Sequence, residues 1–234
     1  MRQSPVELSF PVMPDRSIPA VDPLPDRWAE QWQRTLEWLG LGMVFIPVGE
    51  RLFKRYSEPG RHYHDARHGL ACVKALGSYP GAVKNHDAVE LALWFHDAAY
   101  SARATPRENR EGSVEVFRGE FQLLAGDLVD INEVARLIIA TRHHREPEDA
   151  DAALAMDIDL GIFGDDRVRY DTYAGEIRRE YAHCDDQSFR SQRMEFLRTF
   201  LRRRSIYWTR HFRKLIEKRA RENIERELAA LERA

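Results

Sequence analysis

Apolar side chains recur every three or four residues along most of the chain. The first clear run shares one helix face and consists of Trp28, Trp32, Leu36 and Leu39. Similar spacing returns in the last part of the chain, from Phe189 onward, and predicts a long C-terminal helix there. Alternating runs of Val, Ile and Thr with hairpin turns do not occur, so we expect few strands or none. The pattern therefore predicts an all-α fold class.

Prolines, glycines and capping residues set the expected helix limits. Asp26 can cap the first helix, and Pro47 can open the second, which the stretch "SEPG" stops. Neither an internal repeat nor a linker interrupts the chain after residue 25, so residues 26–234 are expected to form one all-helical domain. Between the second helix and the last part of the chain, helices are expected at 64–76, 85–97, 107–124, 129–144, 149–163 and 167–182.

The N-terminal segment has a different composition. Residues 1–25 contain six of the 11 prolines of the chain. A helix cannot run through prolines at that spacing, because each one removes a backbone donor and clashes with the preceding turn. We expect a Pro-rich extended arm over residues 1–25.

Charge and hydropathy exclude two classes of partner. The 234 residues include 36 basic and 38 acidic side chains, so the net charge of −2 gives no overall attraction to nucleic acid or to a membrane surface. No apolar stretch approaches the roughly 20 residues that cross a bilayer. The N terminus, "MRQSPVELSFPVMPDRS", lacks the apolar core of a signal peptide. We expect a cytoplasmic protein with no membrane partner.

The two cysteines do not suggest a disulfide or a thiolate zinc site. Cys72 and Cys184 lie far apart, and neither belongs to a Cys-x-x-Cys spacing. Each is expected to be a small packing residue, because free cysteine is among the most buried residue types.

Histidines and aspartates fall at the ends of apolar stretches in four of the expected helices. The stretch "ALWFHDAAY" places His96 and Asp97 after an almost unbroken apolar run, and "AMDIDLGIFG" places two aspartates in another. The complete set is His62, His64, His68, His96, Asp97, His143, His144, Asp157 and Asp159. Imidazole mixed with carboxylate is the donor set of divalent metal sites, and a dication would offset the cost of burying the carboxylates.

Each segment alone has a simpler interpretation. His96 and Asp97 can form a hydrogen-bonded pair, "TRHH" is also typical of a helix C terminus, and "DID" is also a capping signal. His64 and His68 are four residues apart and can project from one helix face. Their order and their common apolar setting favour a metal site over these separate explanations.

This order of residues resembles the HD superfamily of metal-dependent phosphohydrolases. His68, the "HD" pair at 96–97 and an aspartate near 159 match its short motif. Longer segments covering most of residues 50–231 resemble a bacterial group of predicted HD phosphohydrolases: "YSEPGRHYHDARHG", "ALWFHDAAY", "ENREGS", "IIATRHH", "MDIDLGIFG" and "RRRSIYWTRHFRKLIEKRARENIERELAAL". The resemblance implies an HD-domain helical bundle.

The resemblance also implies which residues bind the metal. Asp159 is preferred to Asp157, because the last aspartate of the family usually precedes the residues that continue its helix, here Leu160. Asp157 can instead accept a hydrogen bond from a ligating imidazole. The implied ligands are His68, His96, Asp97 and Asp159.

The implied cofactor is one divalent metal ion, with Mn, Mg, Ni, Fe and Zn all compatible with mixed nitrogen and oxygen donors. Some relatives hold a second ion with extra histidines. The candidates for that role here are His64, His143, His144 and Glu111. A single ion is the better expectation, because no second bridging carboxylate can be assigned.

The implied activity is hydrolysis of a phosphate ester of a small molecule, a nucleotide or a phosphorylated metabolite, by metal-activated water. The expected catalytic residues are Asp97 and the proton donors His64 and His144. Three arginines adjoin the ligand segments and are candidates for holding the phosphate: Arg61, Arg67 and Arg142. No motif identifies the substrate further.

Two other classes of function stay open. An HD-fold di-iron oxygenase would also need extra histidines, which "TRHH" can supply. A non-catalytic module that binds a nucleotide or a metal would keep the same ligands. Activity on phosphoesters separates both from a hydrolase.

The C-terminal part is rich in arginine and contains Tyr207, Trp208 and Phe212. Aromatics between basic residues can stack on single-stranded nucleic acid. A solvated helix face with its aromatics turned inward is the better interpretation, so nucleic acid is not an expected partner. The long helix can also pair with a second copy, so a homo-oligomer is compatible with the sequence.

Overall fold

The computed structural model describes residues 23–122, 128–141 and 146–233. All regular secondary structure in these ranges is helical, which confirms the all-α prediction. The ten α-helices are α1 Leu24–Trp38, α2 Ile46–Tyr56, α3 Ala66–Gly77, α4 His86–Phe95, α5 Pro106–Phe121, α6 Ile131–Ala140, α7 Ala150–Asp159, α8 Arg167–Glu180, α9 Asp186–Leu201 and α10 Arg210–Arg233. Short 3₁₀ helices cover Met43–Phe45 and Leu160–Gly164.

The first helix begins earlier than expected. Pro23 is its N-cap residue and Pro25 lies in its first turn, where proline is tolerated because those backbone N–H groups have no helical partner. Asp26 therefore lies inside the first turn and is not the cap. Residues 1–22 of the predicted arm lie outside the described residues.

The third helix begins later than expected. The Asp65 carboxylate accepts hydrogen bonds from the backbone N–H groups of Arg67 and His68 and so caps α3. His64 precedes the cap, so the prediction that His64 and His68 share a helix face is wrong. The Asp65 cap, and not the four-residue spacing of the two histidines, determines where α3 begins.

The C-terminal part contains two helices. Asp185 caps α9 through the backbone N–H of Ser188, and α9 ends at Leu201. After a turn, α10 runs for 24 residues and is the longest described helix. Tyr207 and Phe212 are buried, so neither presents a ring for stacking on nucleic acid.

The centre of the fold is α4. All of its side chains from Ala88 to Phe95 are buried, and it packs against α3, α6 and α7. Trp94 contacts Trp28 and Trp32 of α1 edge to face. Buried apolar residues from all ten helices join in one cluster, which fixes the end of α4 in position. No helix in the described ranges is both long and apolar enough to cross a membrane.

Candidate metal centre and its cleft

The C-terminal ends of α4 and α7 and the N-terminal end of α3 meet at one point inside the fold. His96 is the C-cap residue of α4 and Asp97 follows it. His68 lies in the first turn of α3, and Asp159 is the last residue of α7. The four side chains are buried, with exposed fractions of 8 % or less for each residue.

Their polar atoms face one another across short distances. His68 Nε2 lies 3.0 Å from His96 Nε2 and 3.0 Å from Asp159 Oδ1. Asp97 Oδ2 lies 3.1 Å from His96 Nε2 and 3.7 Å from His68 Nε2. Two ring nitrogens and two carboxylate oxygens thus converge, which is the donor chemistry of a divalent cation.

Three further observations fit a cation between these atoms. His96 Nδ1 lies 2.8 Å from the Leu93 carbonyl and donates to it, which leaves the Nε2 lone pair for a ligand. Asp97 Oδ2 is buried, and no donor among the described residues is aligned to hydrogen-bond it. Burial alone would lower the pKa of His96, but Asp97 and Asp159 raise it to about 10. The carboxylates of Asp97 and Asp159 therefore make this site attractive to positive charge.

A cysteine also belongs to this group, which sequence reasoning missed. His68, Cys72, His96 and Asp159 each offer a ligand atom, and these atoms lie within 4.8 Å of one another, so this buried group can hold a metal ion. Cys72 Sγ is 3.8 Å from both ring nitrogens of His68, the position of a packing contact. Burial raises the pKa of the Cys72 thiol and favours the neutral form, which is a poor ligand. The spacing from His68, one turn along α3, was the available signal.

Arg110 is another residue that sequence reasoning missed. Its Nη1 contacts Asp97 Oδ1 and donates to the His96 carbonyl at 2.8 Å, while its Nη2 lies 3.6 Å from Asp159 Oδ2. Burial would raise the pKa of Asp97, but Arg110 and then His96 hold it well below its usual range. Arg110 thus binds the outer oxygens of the two carboxylates whose other oxygens face the histidines.

Glu111, the neighbour singled out from the sequence, does not reach the site. Its side chain is half exposed and accepts a hydrogen bond at 2.7 Å from Arg107, one turn earlier in α5. Successive helix residues project about 100° apart, so only one of the pair at 110–111 can face inward.

Glu180, at the end of α8, organises the segment that carries His64. Its Oε1 accepts the backbone N–H groups of His62, Tyr63 and His64 at 2.8, 2.8 and 2.9 Å. Its Oε2 lies 2.7 Å from His64 Nδ1 and accepts the Tyr100 hydroxyl at 2.8 Å. The His64 and Tyr100 rings stack with centroids 4.1 Å apart. His64 is therefore held firmly in place although no helix contains it.

Electrostatics tie His64 to this carboxylate. Burial would raise the pKa of Glu180, but His64 and the backbone donors lower it to about 2. Burial would lower the pKa of His64, but Glu180 and then Asp97 raise it above its ordinary value. The pair consequently favours a protonated imidazole beside an ionised carboxylate.

The remaining sequence candidates lie elsewhere. Arg61 is buried and donates to the carbonyls of Asp97 and Ala98 at 2.6 and 3.2 Å, so it supports the backbone and is not free for phosphate. Arg67 binds its neighbour Asp65 through Nε at 2.7 Å. Three candidates lie outside the described residues: Arg142, His143 and His144.

Asp157 does not bond to a ligating imidazole, which was the role considered for it from the sequence. It accepts the backbone N–H groups of Trp208 and Thr209 at 2.8 and 2.7 Å, and not a hydrogen bond from a ligating imidazole. Asp157 and Asp159 project from different sides of α7, because two residues turn about 200° around a helix. Only Asp159 faces the histidines.

A cleft of about 650 Å³ opens onto the site, and His64, Asp97, Arg110 and Asp159 line its inner end. Its size is that of pockets for small organic molecules. No protein-family model matches the chain, and no curated protein or solved structure matches it either. What the protein does is therefore inferred from these residues.

Proposed function

We propose that this protein is a metal-dependent phosphohydrolase of the HD superfamily that cleaves a phosphate ester of a small molecule. The observation that carries the proposal is the convergence of His68, His96, Asp97 and Asp159 at the inner end of a cleft. Catalytic and binding sites are typically such clefts, with a few buried polar groups at one end. Phosphate esters suit a site that combines a cation with arginine.

The four convergent residues are the proposed metal ligands. Their mixed nitrogen and oxygen donors accept Mn, Mg, Ni, Fe or Zn. When bound, a divalent ion supplies Lewis-acid activation of water and of a phosphoryl oxygen near neutral pH. Asp97 is a catalytic residue in this proposal because it is one of the metal ligands.

The position of Arg110 supports a single ion. Its guanidinium faces Asp97 Oδ1 and lies 3.6 Å from Asp159 Oδ2, where a second cation would meet its charge. Unlike Arg61, Arg110 lines the inner end of the cleft, where its guanidinium can meet a phosphate group. Both consequences favour a hydrolase with one ion over a di-iron oxygenase.

His64 is the proposed proton donor to the leaving group. Glu180 holds Nδ1, which leaves Nε2 as the nitrogen for the substrate, and the raised pKa of His64 favours the protonated imidazole that a proton donor needs. Glu180 acts through His64 and is therefore a positioning residue. His144 stays a second candidate donor.

Metal content and phosphatase activity, measured together, test the proposal. Purified protein supplied with Mn²⁺ is expected to hold about one ion per chain and to hydrolyse 4-nitrophenyl phosphate. His96→Ala and Asp97→Ala are expected to lower metal content and activity at least about tenfold, because even the loss of a residue that only orients a ligand costs that much. Cys72→Ala is the control and is expected to keep its metal, because the Cys72 thiol favours its neutral form and lies 3.8 Å from both ring nitrogens of His68.

Other results would identify the alternatives. Two irons per chain with oxygen-dependent turnover would indicate an oxygenase. Metal without turnover of any phosphoester would indicate a binding module. Stoichiometric metal in both His96→Ala and Asp97→Ala would show that the ligands are wrongly assigned.

A further inference from the structure

The cleft has two unlike ends. The inner end, named here the phosphate end, is lined by His64, Asp97, Arg110 and Asp159. Elsewhere the lining includes a group of apolar side chains, named here the apolar end: Ile162, Phe163, Ile177, Phe189 and Phe196. A molecule that fills the cleft therefore meets charge at one side and hydrocarbon at the other.

The apolar end is built from three rigid elements. Phe163 belongs to the 3₁₀ helix after α7, Ile177 to α8, and Phe189 and Phe196 lie two turns apart on α9. The Phe163 and Phe196 rings meet edge to face with centroids 6.4 Å apart. Aromatic side chains held by packing of this kind offer faces and edges to another ring.

The charged group beside the apolar end already has its partners. Arg193 is buried, and its Nε and Nη2 donate to the two carboxylate oxygens of Glu227 at 2.8 and 3.1 Å. Its Nη1 donates to the Tyr173 hydroxyl at 3.1 Å. The Asn109 side chain is bonded to the backbone of Ser101 through both its oxygen and its nitrogen. Four other polar residues line the cleft from exposed positions: Arg103, Thr105, His183 and Gln192. A ligand rich in hydroxyls or charges would lose water here without replacing those hydrogen bonds.

We propose that the cleft selects phosphate monoesters whose leaving group is apolar and carries an aromatic ring. The inference rests on the proposed function, which places the phosphate at the phosphate end. The ring then lies among Phe163, Phe189 and Phe196, with the ester oxygen towards His64. Esters of sugars and of other polyhydroxylated alcohols are disfavoured, because the apolar end cannot hydrogen-bond them.

A set of esters with similar leaving-group basicity tests the proposal. The Mn²⁺-loaded full chain is assayed with 2-phenylethyl phosphate, ethyl phosphate and glucose 6-phosphate, all esters of primary alcohols. We expect kcat/KM for the phenylethyl ester to exceed that of the other two at least about tenfold, since a hydrophobic pocket discriminates that strongly by size. Equal values for all three esters would overturn the proposal while the hydrolase assignment stood.

Variants locate the preference in the cleft. Phe196→Ala is expected to lower kcat/KM for 2-phenylethyl phosphate about tenfold and to change that of ethyl phosphate less than about twofold. Phe189→Ala tests the same wall from the other end of α9. Phe53→Ala is the matched control, because Phe53 is also half-buried but packs on Trp28 outside the cleft. A preference unchanged in both cleft variants would overturn the proposal.

Binding separates this proposal from the hydrolase assignment. Calorimetric titration with 2-phenylethylphosphonate and ethylphosphonate, which are not hydrolysed, needs no turnover. If no ester is cleaved but the phenylethyl compound binds at least tenfold more tightly, and Phe196→Ala removes the difference, the hydrolase assignment fails and the cleft proposal holds. Equal affinity of the two phosphonates would overturn the cleft proposal.

Discussion

His96 and Asp97 are adjacent ionisable residues with no exposed surface, and such groups are tolerated only with partners. The backbone carbonyl of Leu93 takes one nitrogen of His96, and Arg110 takes one oxygen of Asp97. The other nitrogen and the other oxygen face the centre of the site. Each residue thus has one polar atom bonded to the protein. The remaining nitrogen of His96 and the remaining oxygen of Asp97 are the atoms that could bind a cation.

At the same scale, Glu180 shows how one carboxylate positions another residue. We predict that Glu180→Gln lowers kcat/KM for phenyl phosphate by roughly 100-fold, the usual contribution of general acid catalysis. For 4-nitrophenyl phosphate we expect a decrease of less than about threefold, because nitrophenolate leaves without a proton. Steady-state kinetics on the two esters, with metal content as a check, measure the difference.

The control is Glu176→Gln, one turn earlier on α8. Glu176 is also buried, and it pairs with Arg169. Its substitution is expected to change both esters by the same factor. If Glu180→Gln also affects both esters equally, Glu180 supports the fold and does not position a proton donor.

At the scale of elements, α7 connects the site to the C-terminal part of the chain. Its Asp159 reaches the histidines, while Asp157, on another side of the helix, holds the backbone just before α10. Asp151, near its start, accepts the backbone N–H groups of Lys84 and Asn85 before α4. A helix of only ten residues therefore fixes two neighbouring helices as well as a proposed ligand.

We expect Asp157→Ala to destabilise the fold and to leave metal binding at the candidate site intact. Loss of an acceptor for two N–H groups is expected to lower the free energy of unfolding by about 2 kcal/mol, measured by urea denaturation. Asp171→Ala, which removes an exposed ion pair with Arg226, should cost less than about 1 kcal/mol. Equal losses in the two variants would show that Asp157 does not anchor α10.

For the whole molecule, the candidate metal centre joins helices that are distant in sequence. His68 of α3, the end of α4 and Asp159 of α7 meet there, with His68 and Asp159 separated by 91 positions in the chain. A ligand held by all three elements binds the folded state and not the unfolded chain, so it must stabilise the fold.

We therefore predict that Mn²⁺ at about 100 times its Kd raises the free energy of unfolding by about 2.7 kcal/mol. Thermal and urea unfolding with Mn²⁺ or with a chelator measure the change. His68→Ala should show no such increase, whereas Cys72→Ala should show it in full. Stabilisation that persists in His68→Ala would place the ion elsewhere.

The sequence by itself determined that the fold is helical and roughly where most helices lie. Apolar spacing and capping residues act within a few turns, so they can be recognised locally, as for the helices expected at 107–124 and 149–163, which correspond to α5 and α7. The resemblance to the HD superfamily singled out four side chains that the structure brings together. Two expectations about helix starts failed: α1 begins after Pro23, ahead of Asp26, and α3 begins after its cap Asp65, beyond His64.

Only the tertiary structure decided which other residues complete the site. Glu180 is 116 residues from His64, and Arg110 reaches Asp97 from a different helix. No periodicity indicates such partners, because their contacts depend on how helices pack and not on local spacing. The different roles of Asp157 and Asp159 also depend on packing. Both carboxylates belong to α7, and the elements around α7 determine which one binds backbone N–H groups and which one faces the histidines.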